Sequence, residues 1–330
     1  MKYWWVAFVI LWTGCSFNQP KQNLVDGELI PMKEAQLFFL KKVNQDTVIC
    51  IVNGTDTLAF QKQTTSNFHL LSTTLVGYFD ALQAIGSIKG VVYPSSIANA
   101  QLKNQIQDQF SFSLQDNAQT IDPEQFFVHL ANFVLYSPFD PAPQKLPNNT
   151  QSIPICDYQE KNAWARLEWI KAIGFLTNRY PQACQYFDTI LAQRHSYQFK
   201  NPRPILIGSH DGQHFYWSAK NSAVNQLASD AGFEVLGLEN NGNAILDKEE
   251  LWVQLKKNPL VVLMVTQDQI PLISSISKEW NKQFQVQTWC IPIESTQYFE
   301  KSIVHPEWLL QDFIALERDK KTGHFIKALP

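Results

Sequence analysis

The densest cluster of reactive side chains is Gly208-Ser209-His210-Asp211-Gly212, with His214 two residues further on. Serine, histidine and aspartate are the parts of a hydrolytic triad. A triad, however, needs members that converge from separate segments, and three consecutive residues do not meet that requirement. His210 and His214 have the spacing that sets two imidazoles on one side of a helix for a metal ion. Gly212 lies between them, so the segment reads as a loop, and no second His or Cys cluster supplies further ligands. The chain carries no GxSxG, no phosphate-cradling loop and no dinucleotide glycine fingerprint. It is read as a non-enzyme with no metal site and no resident cofactor.

The cysteine with a chemical context of its own is Cys15. Lys2 supplies a positive start, Trp4 to Trp12 is an unbroken apolar run, and Thr13-Gly14 places two small residues directly before the thiol. The run is too short to cross a bilayer as a helix. Small residues ahead of a cysteine are what a lipoprotein signal peptidase admits, and the stretch resembles a bacterial lipobox. It departs from that pattern at Trp12, where leucine is usual, with Leu11 one place early. An ordinary secretory signal is the other reading of the same residues, and both predict export. The expected product is lipid-anchored through Cys15 to a membrane facing the periplasm, with 1–14 removed as signal peptide and 15–30 as a tether. Cys50, Cys156, Cys184 and Cys290 are widely spaced with no CxxC, so the expectation is four buried thiols. Their spacing assigns no disulfide.

The 330 residues carry 27 basic and 30 acidic side chains, a net charge of −3. Removing 1–14 takes away one basic residue, Lys2, and leaves −4. A mildly acidic chain without basic runs is not built for nucleic acid. At 45% hydrophobic residues it can bury substantial cores, and its length suggests two lobes.

Segments 35–43, 47–52 and 57–61, punctuated by Asn53-Gly54-Thr55-Asp56, predict a small β-meander over 31–66. From Phe68 the pattern alternates strand and helix. Strands are expected at 68–71, 88–92, 133–136 and 153–155. Helices are expected where Leu75, Phe79, Leu82 and Ile85 recur, over 97–107, and after Asp122-Pro123-Glu124. Residues 160–178 predict one long helix with Gly174 as a soft spot, and a second runs from Pro181 towards Gln198. Alternation resumes with strands at 205–208, 260–265 and 285–291 and helices at 222–231, 247–256 and 308–316. The fold class is therefore α/β: an N-lobe at 67–158, an interlobe helix and its successor at 159–200, and a C-lobe at 201–330, with largely parallel sheets. An internal repeat supports two duplicated lobes. Residues 121–130 (IDPEQFFVHL) precede the strand at 133, and residues 246–255 (LDKEELWVQL) precede the strand at 260.

Four stretches resemble the solute-binding proteins of ABC importers for iron complexes and vitamin B12, particularly the lipoprotein forms of Bacteroidetes-type bacteria. They are 71–82 with 88–91, then 157–171 (DYQEKNAWARLEWIK), then 222–232 ending Ser229-Asp230-Ala231-Gly232, and 298–307 (YFEKSIVHPE). The resemblance implies two Rossmann-like lobes joined by a single long rigid helix, as in helical-backbone periplasmic binding proteins, with the ligand in the cleft between them. Loops outside the carboxyl ends of the strands independently select a cleft set. Ser72, Thr73, Tyr93, Tyr158, Tyr216, Trp217 and Tyr298 are the candidate ligand-binding residues, and their aromatic faces suit a siderophore, haem or corrinoid ligand. Tyr136 and Phe139 lie on the same loops. The family's glycine-rich turn is missing from Phe215 to Ala223, and no arginine stands out in the cleft loops. The resemblance also implies docking onto an ABC permease dimer through one carboxylate per lobe, here Glu124 and Glu249. A metal-ion-binding lipoprotein of related fold, and a surface lipoprotein that has lost its ligand, are the alternatives.

Overall fold

The structure, a computed structural model, describes residues 27–330 apart from 44–45, 62, 65, 108–109, 113–122, 139–142, 144, 199, 237–243 and 319–322. Residues 1–14, Cys15, most of the tether, Asp122 and Phe139 lie outside the described residues.

The chain opens with an antiparallel meander of β1 (Glu28–Ile30), β2 (Phe38–Val43), β3 (Asp46–Asn53) and β4 (Asp56–Gln61), paired in chain order. Asn53 pairs with Asp56, which leaves Gly54-Thr55 as a two-residue turn with Gly54 at φ 62°. Such a turn needs a residue that tolerates positive φ, and glycine does so without cost. Alternation puts Phe38 and Leu40 of β2 and Ile49 and Ile51 of β3 into the main core.

The first α/β lobe follows as β5 (Phe68–Leu70), α1 (Val76–Ala81), β6 (Ile88–Val92), α2 (Ala100–Gln107), β7 (Phe110–Phe112), α3 (Pro123–Val128), β8 (Phe133–Tyr136) and β9 (Gln151–Pro154). Its five strands are all parallel, in the order β7-β6-β5-β8-β9. Every residue of β5 and β8 is buried, as expected of strands covered on both faces. The apolar spacing that suggested a helix through Ile85 stops early: α1 ends at Ala81, and Gln83 has a φ of 54°.

Two helices then cross to the second lobe, α4 (Ala163–Leu176) and α5 (Tyr180–Leu191). Asn162 caps α4, its side chain accepting hydrogen bonds from the backbone N–H groups of Trp164 (2.9 Å) and Ala165 (2.8 Å). At 14 residues α4 is about 21 Å long. Its apolar residues occupy every face, and all of its residues except Arg166 are buried. A helix apolar all round must be covered all round, and here the two lobes, α5 and the meander do so.

Gly174 is the point where α4 and α5 touch, not a soft spot. A Cβ built on it would overlap the Ala183 methyl and crowd the Arg179 carbonyl. Gly174→Ala should therefore destabilise the protein by about 1 kcal/mol net. Overpacking costs about 1–3 kcal/mol, against a helix-propensity gain of about 1 kcal/mol. A urea midpoint that rises in the variant would refute this reading.

The second lobe contains β10 (Pro204–His210), β11 (Phe215–Trp217), α6 (Ala223–Asp230), β12 (Glu234–Val235), β13 (Ala244–Ile245), α7 (Lys248–Leu255), β14 (Leu260–Val265), α8 (Ile270–Phe284), β15 (Gln287–Pro292), α9 (Tyr298–Lys301), α10 (Pro306–Glu317) and β16 (Lys327–Ala328). Its sheet is mixed, in the order β13-β11-β10-β14-β15-β16 with β12 beside β10. The strands β10, β12, β14 and β15 are parallel, β11 and β16 run against them, and β13, antiparallel to β11, runs with β10. Asp247 caps α7 in a reciprocal capping box with Glu250. Among the described residues, no helix is long and apolar enough to cross a membrane.

Candidate functional site

Segments of both lobes and α4 converge on a gap between the lobes. Its main cavity, about 830 Å³, is bounded on one side by Tyr158, Lys161 and Arg166, and on the other by Ser218, Ala219, Asn221 to Val224, Met264, Tyr298 and Ser302. A smaller recess of about 130 Å³ continues into the first lobe, lined by Ser72, Thr74, Ser137, Asp157 and Arg166. Tyr158 and Arg166 border both.

Arg166 is the central charged group, and it escaped the reading of the loops because it lies on a helix, four residues into α4. A cation near a helix N-terminus opposes the helix dipole, so its presence there asks for a partner. That partner is Asp157, whose Oδ2 accepts from Arg166 Nε at 2.9 Å. The same carboxylate oxygen accepts from the buried Tyr78 hydroxyl at 3.2 Å, and that hydroxyl also reaches the Arg166 carbonyl at 2.8 Å. Burial, then the Asp157 charge, holds the Tyr78 phenol well above its ordinary pKa, so it stays a donor. With Nε committed, the Arg166 terminal nitrogens have no partner among the described residues, on a side chain 28% exposed to the gap. Opposite stands Tyr298, 8% exposed, with its phenol pKa raised by burial and moderated by Arg166 and Ser302. Next to Asp157, burial pushes the Cys156 thiol up to about 12, which leaves it unreactive.

The far wall is the start of α6. Ser222 caps it, accepting from Asn225 N–H, and the Asn225 side-chain amide donates to the Ser218 and Ala219 carbonyls at 3.0 and 2.8 Å. That bracing fixes the loop in which the glycine-rich turn is absent. A direct interlobe contact flanks the gap, joining α1 and the residues just before α2 to α9. Lys301 Nζ pairs with Asp80 at 2.9 Å, Asn99 Nδ2 donates to Gln297 at 3.0 Å, and the buried Glu300 carboxylate accepts from Ala98 N–H at 2.5 Å. The lobes are thus clasped beside the gap.

The candidate residues divide. Ser72, Tyr158 and Tyr298 line the gap, and Thr73 is half-buried beside Ser72 without lining it. Tyr93, 52% exposed with a left-handed φ of 49°, borders neither cavity. Trp217 is corrected: it is 1% exposed and lies inside the second lobe. Residues 215–217 form a strand, not a loop, so positions two apart share a face. Phe215 stacks on Trp217 at 5.7 Å and packs on Trp280, both rings facing the core. Tyr216 points to the other face, where its hydroxyl donates to Asp211 at 2.8 Å. Tyr136 is also buried. Glu124 and Glu249 are both exposed, in the first turns of α3 and α7.

The Ser-His-Asp run is a hairpin. Asp211 accepts from the N–H groups of Gln213 (2.8 Å) and His214 (2.7 Å), and these bonds hold its carboxyl far below the usual range. Among the described residues, no group of three or more His, Cys, Asp or Glu side chains could hold a metal ion. The four remaining cysteines are free thiols; Cys50, Cys156 and Cys290 are buried, but Cys184 is only half-buried.

No family model and no curated protein matches the sequence. Solved structures do match the fold. A periplasmic binding protein from Veillonella parvula is 12% identical over 84% of this chain and 92% of its own, with a TM-score of 0.59. The fold is that of a two-lobed periplasmic binding protein. A periplasmic heme binding protein from Pseudomonas aeruginosa (13% identical, 80% of this chain and 98% of its own, TM-score 0.55) shares it. So does a periplasmic vitamin B12 binding protein from Vibrio cholerae (11% identical, 77% and 97%, TM-score 0.52). In a binding protein of this fold, the gap described above is the space between lobes.

Proposed function

We propose that the protein is the solute-binding component of an ABC importer, and that it captures an iron complex (siderophore or haem) or a cobalamin between its lobes for delivery to a permease dimer. It is exported, anchored to the membrane through a lipid on Cys15, and acts without catalysis. The lobes are 67–158 and 201–330, joined through 159–200. The observation that carries this reading is the interlobe gap of about 830 Å³ with the partly exposed Arg166 on its wall. Its size suits a single bulky ligand, and a guanidinium braced through Nε presents its terminal nitrogens as a fork for a carboxylate or another anionic oxygen pair. Tyr158, Tyr298, Ser72 and the start of α6 complete the binding set.

The test is a thermal-shift screen with haem, cyanocobalamin, a ferric hydroxamate, a ferric catecholate, and ferric and zinc ions alone. A ligand at 100 times its Kd adds about 2.7 kcal/mol, a shift of several degrees. Arg166→Lys retains the charge beside Asp157 but loses the fork, so it should weaken an anionic ligand about tenfold at an unchanged Tm of the free protein. If no complex raises the Tm, or if bare metal ions alone do, the solute-capture reading falls.

A further inference from the structure

The wall of the cleft that carries Tyr158 is a short loop with an anchor outside both α/β sheets. Asp157 to Gln159 form a single 3-10 turn, Glu160 is extended, and Asn162 then caps α4. Two backbone bonds close the turn, from Gln159 N–H to Cys156 at 3.0 Å and from Glu160 N–H to Asp157 at 3.2 Å. Tyr158, Glu160 and Lys161 all border the main cavity. Glu160 is nevertheless buried, and its carboxylate is taken up by the meander and by α4. Oε1 accepts from Leu37 N–H and from the Trp169 indole, both at 3.0 Å, and Oε2 accepts from Gln36 N–H at 3.1 Å. Phe38 of β2 packs on the same indole, with ring centroids 5.0 Å apart. No described residue of 27–61 lines either cavity.

We propose that Glu160 is a positioning residue for solute capture, and that the meander amides of Gln36 and Leu37 are the grip through which it holds Tyr158 and Lys161 in place. Two side chains anchor the loop on either side of Tyr158. Asp157 is tied to Arg166 and Tyr78, which belong to the cleft and the first lobe. Glu160 is tied to a separate sheet. A turn closed by two backbone bonds opens locally unless its side chains are fixed. A loop aromatic that the solute itself must order spends binding free energy on that ordering. The meander removes this cost from behind the wall, without reaching the gap. This rests on the solute-capture reading and adds an anchoring residue to it.

The experiment is hydrogen exchange on the full chain without ligand, read at the Gln159 and Glu160 amides. The Ser222 and Gln226 amides, bonded to Ala219 and Ser222 on the opposite wall, are the internal control. Gln36→Pro deletes one donor and leaves every cleft side chain as it is, and Glu160→Ala deletes the acceptor. Each should speed exchange at 159 and 160 by about tenfold, with 222 and 226 unchanged. Glu160→Gln keeps one acceptor oxygen and should fall between the parent and Glu160→Ala. Should Gln36→Pro fail to fold, Glu160→Gln carries the same readings. Haem or cyanocobalamin, where the parent binds it, should bind the variants about tenfold more weakly. Unchanged exchange at 159 and 160, equal acceleration on both walls, or parental affinity for a probe that the parent binds overturns the proposal. If no probe binds the parent, the capture reading falls, and the exchange comparison still decides whether the meander holds the wall.

Discussion

Glu168→Ala should cost about 3–5 kcal/mol of stability, the usual penalty for removing one partner of a buried ion pair, and should release the N-terminal meander. Glu168 is fully buried in α4, and its carboxylate accepts from the backbone N–H groups of Lys33 (2.9 Å), Glu34 (2.6 Å) and Ala35 (2.8 Å) and from Lys171 Nζ (2.5 Å). Without it, three amides lose their acceptor and the Lys171 ammonium, 7% exposed, retains only the Phe187 ring face at 4.1 Å among the described residues. One turn before α4, Glu160 accepts in the same way from Gln36 and Leu37 N–H and from the Trp169 indole at 3.0 Å. The two carboxylates hold residues 33–37, and through them the whole sheet, to the interlobe helix. The ion pairs Lys33–Asp188 and Arg194–Glu34 also cross this junction but are solvent-exposed, so Lys33→Ala should change little. Glu168→Gln should fall between, since an amide has one acceptor oxygen where the carboxylate has two. Urea unfolding gives the energies, and limited proteolysis within 27–61 reports the release. A Glu168→Ala protein within 1 kcal/mol of the parent, with the meander still protected, would remove the clamp from the account.

That clamp shows where sequence and structure part. The meander, its Asn53–Asp56 turn, the strands at 88–92, 133–136 and 260–265, and the helix over 160–178 are legible because each is set by a local period or a local turn signal. Glu160 and Glu168 look like the polar face of a helix until the chain returns from more than 120 residues away to donate to them. The 15-residue α8 was missed although Ile273, Ile276, Trp280 and Phe284 keep helical spacing. Pro271 stands in its first turn, which tolerates proline. β11 was missed for the opposite reason: three residues are too few to display a period, so Trp217 read as a loop aromatic. Of the candidate cleft, the residues beside strand ends were legible, Ser72, Tyr158 and Tyr298 among them. Arg166 was not, because an apolar helix is read for packing. A basic residue at the positive end of such a helix, nine positions after Asp157, is the signal that would have found it.

Acidification from pH 6.5 to 4 should remove about 3 kcal/mol of stability through His69 alone. His69 lies on β5, the strand that delivers Ser72 to the cleft, and it is fully buried. Its Nε2–H donates to the His129 carbonyl at 2.5 Å. Burial pushes its pKa down from 6.5 to about 4, although the bond to His129 raises it in part. The unfolded chain therefore binds a proton over a range in which the folded protein refuses one. Stability is complete above pH 6.5 and drains away as pH falls towards 4, by about 1.4 kcal/mol per unit. His210, lowered by burial at the end of β10, adds to the same limb. Glu160 acts against both, since burial raises its carboxyl above 4.5 and the folded state takes up that proton first. The three are separated by comparing variants instead of reading one curve. His69→Gln keeps a donor for the His129 carbonyl without a titrating ring, so urea unfolding of this variant should show a flatter decline between pH 6.5 and 4. An unchanged slope would mean that the imidazole is as readily protonated in the fold as out of it, and that β5 is not the acid-labile strand.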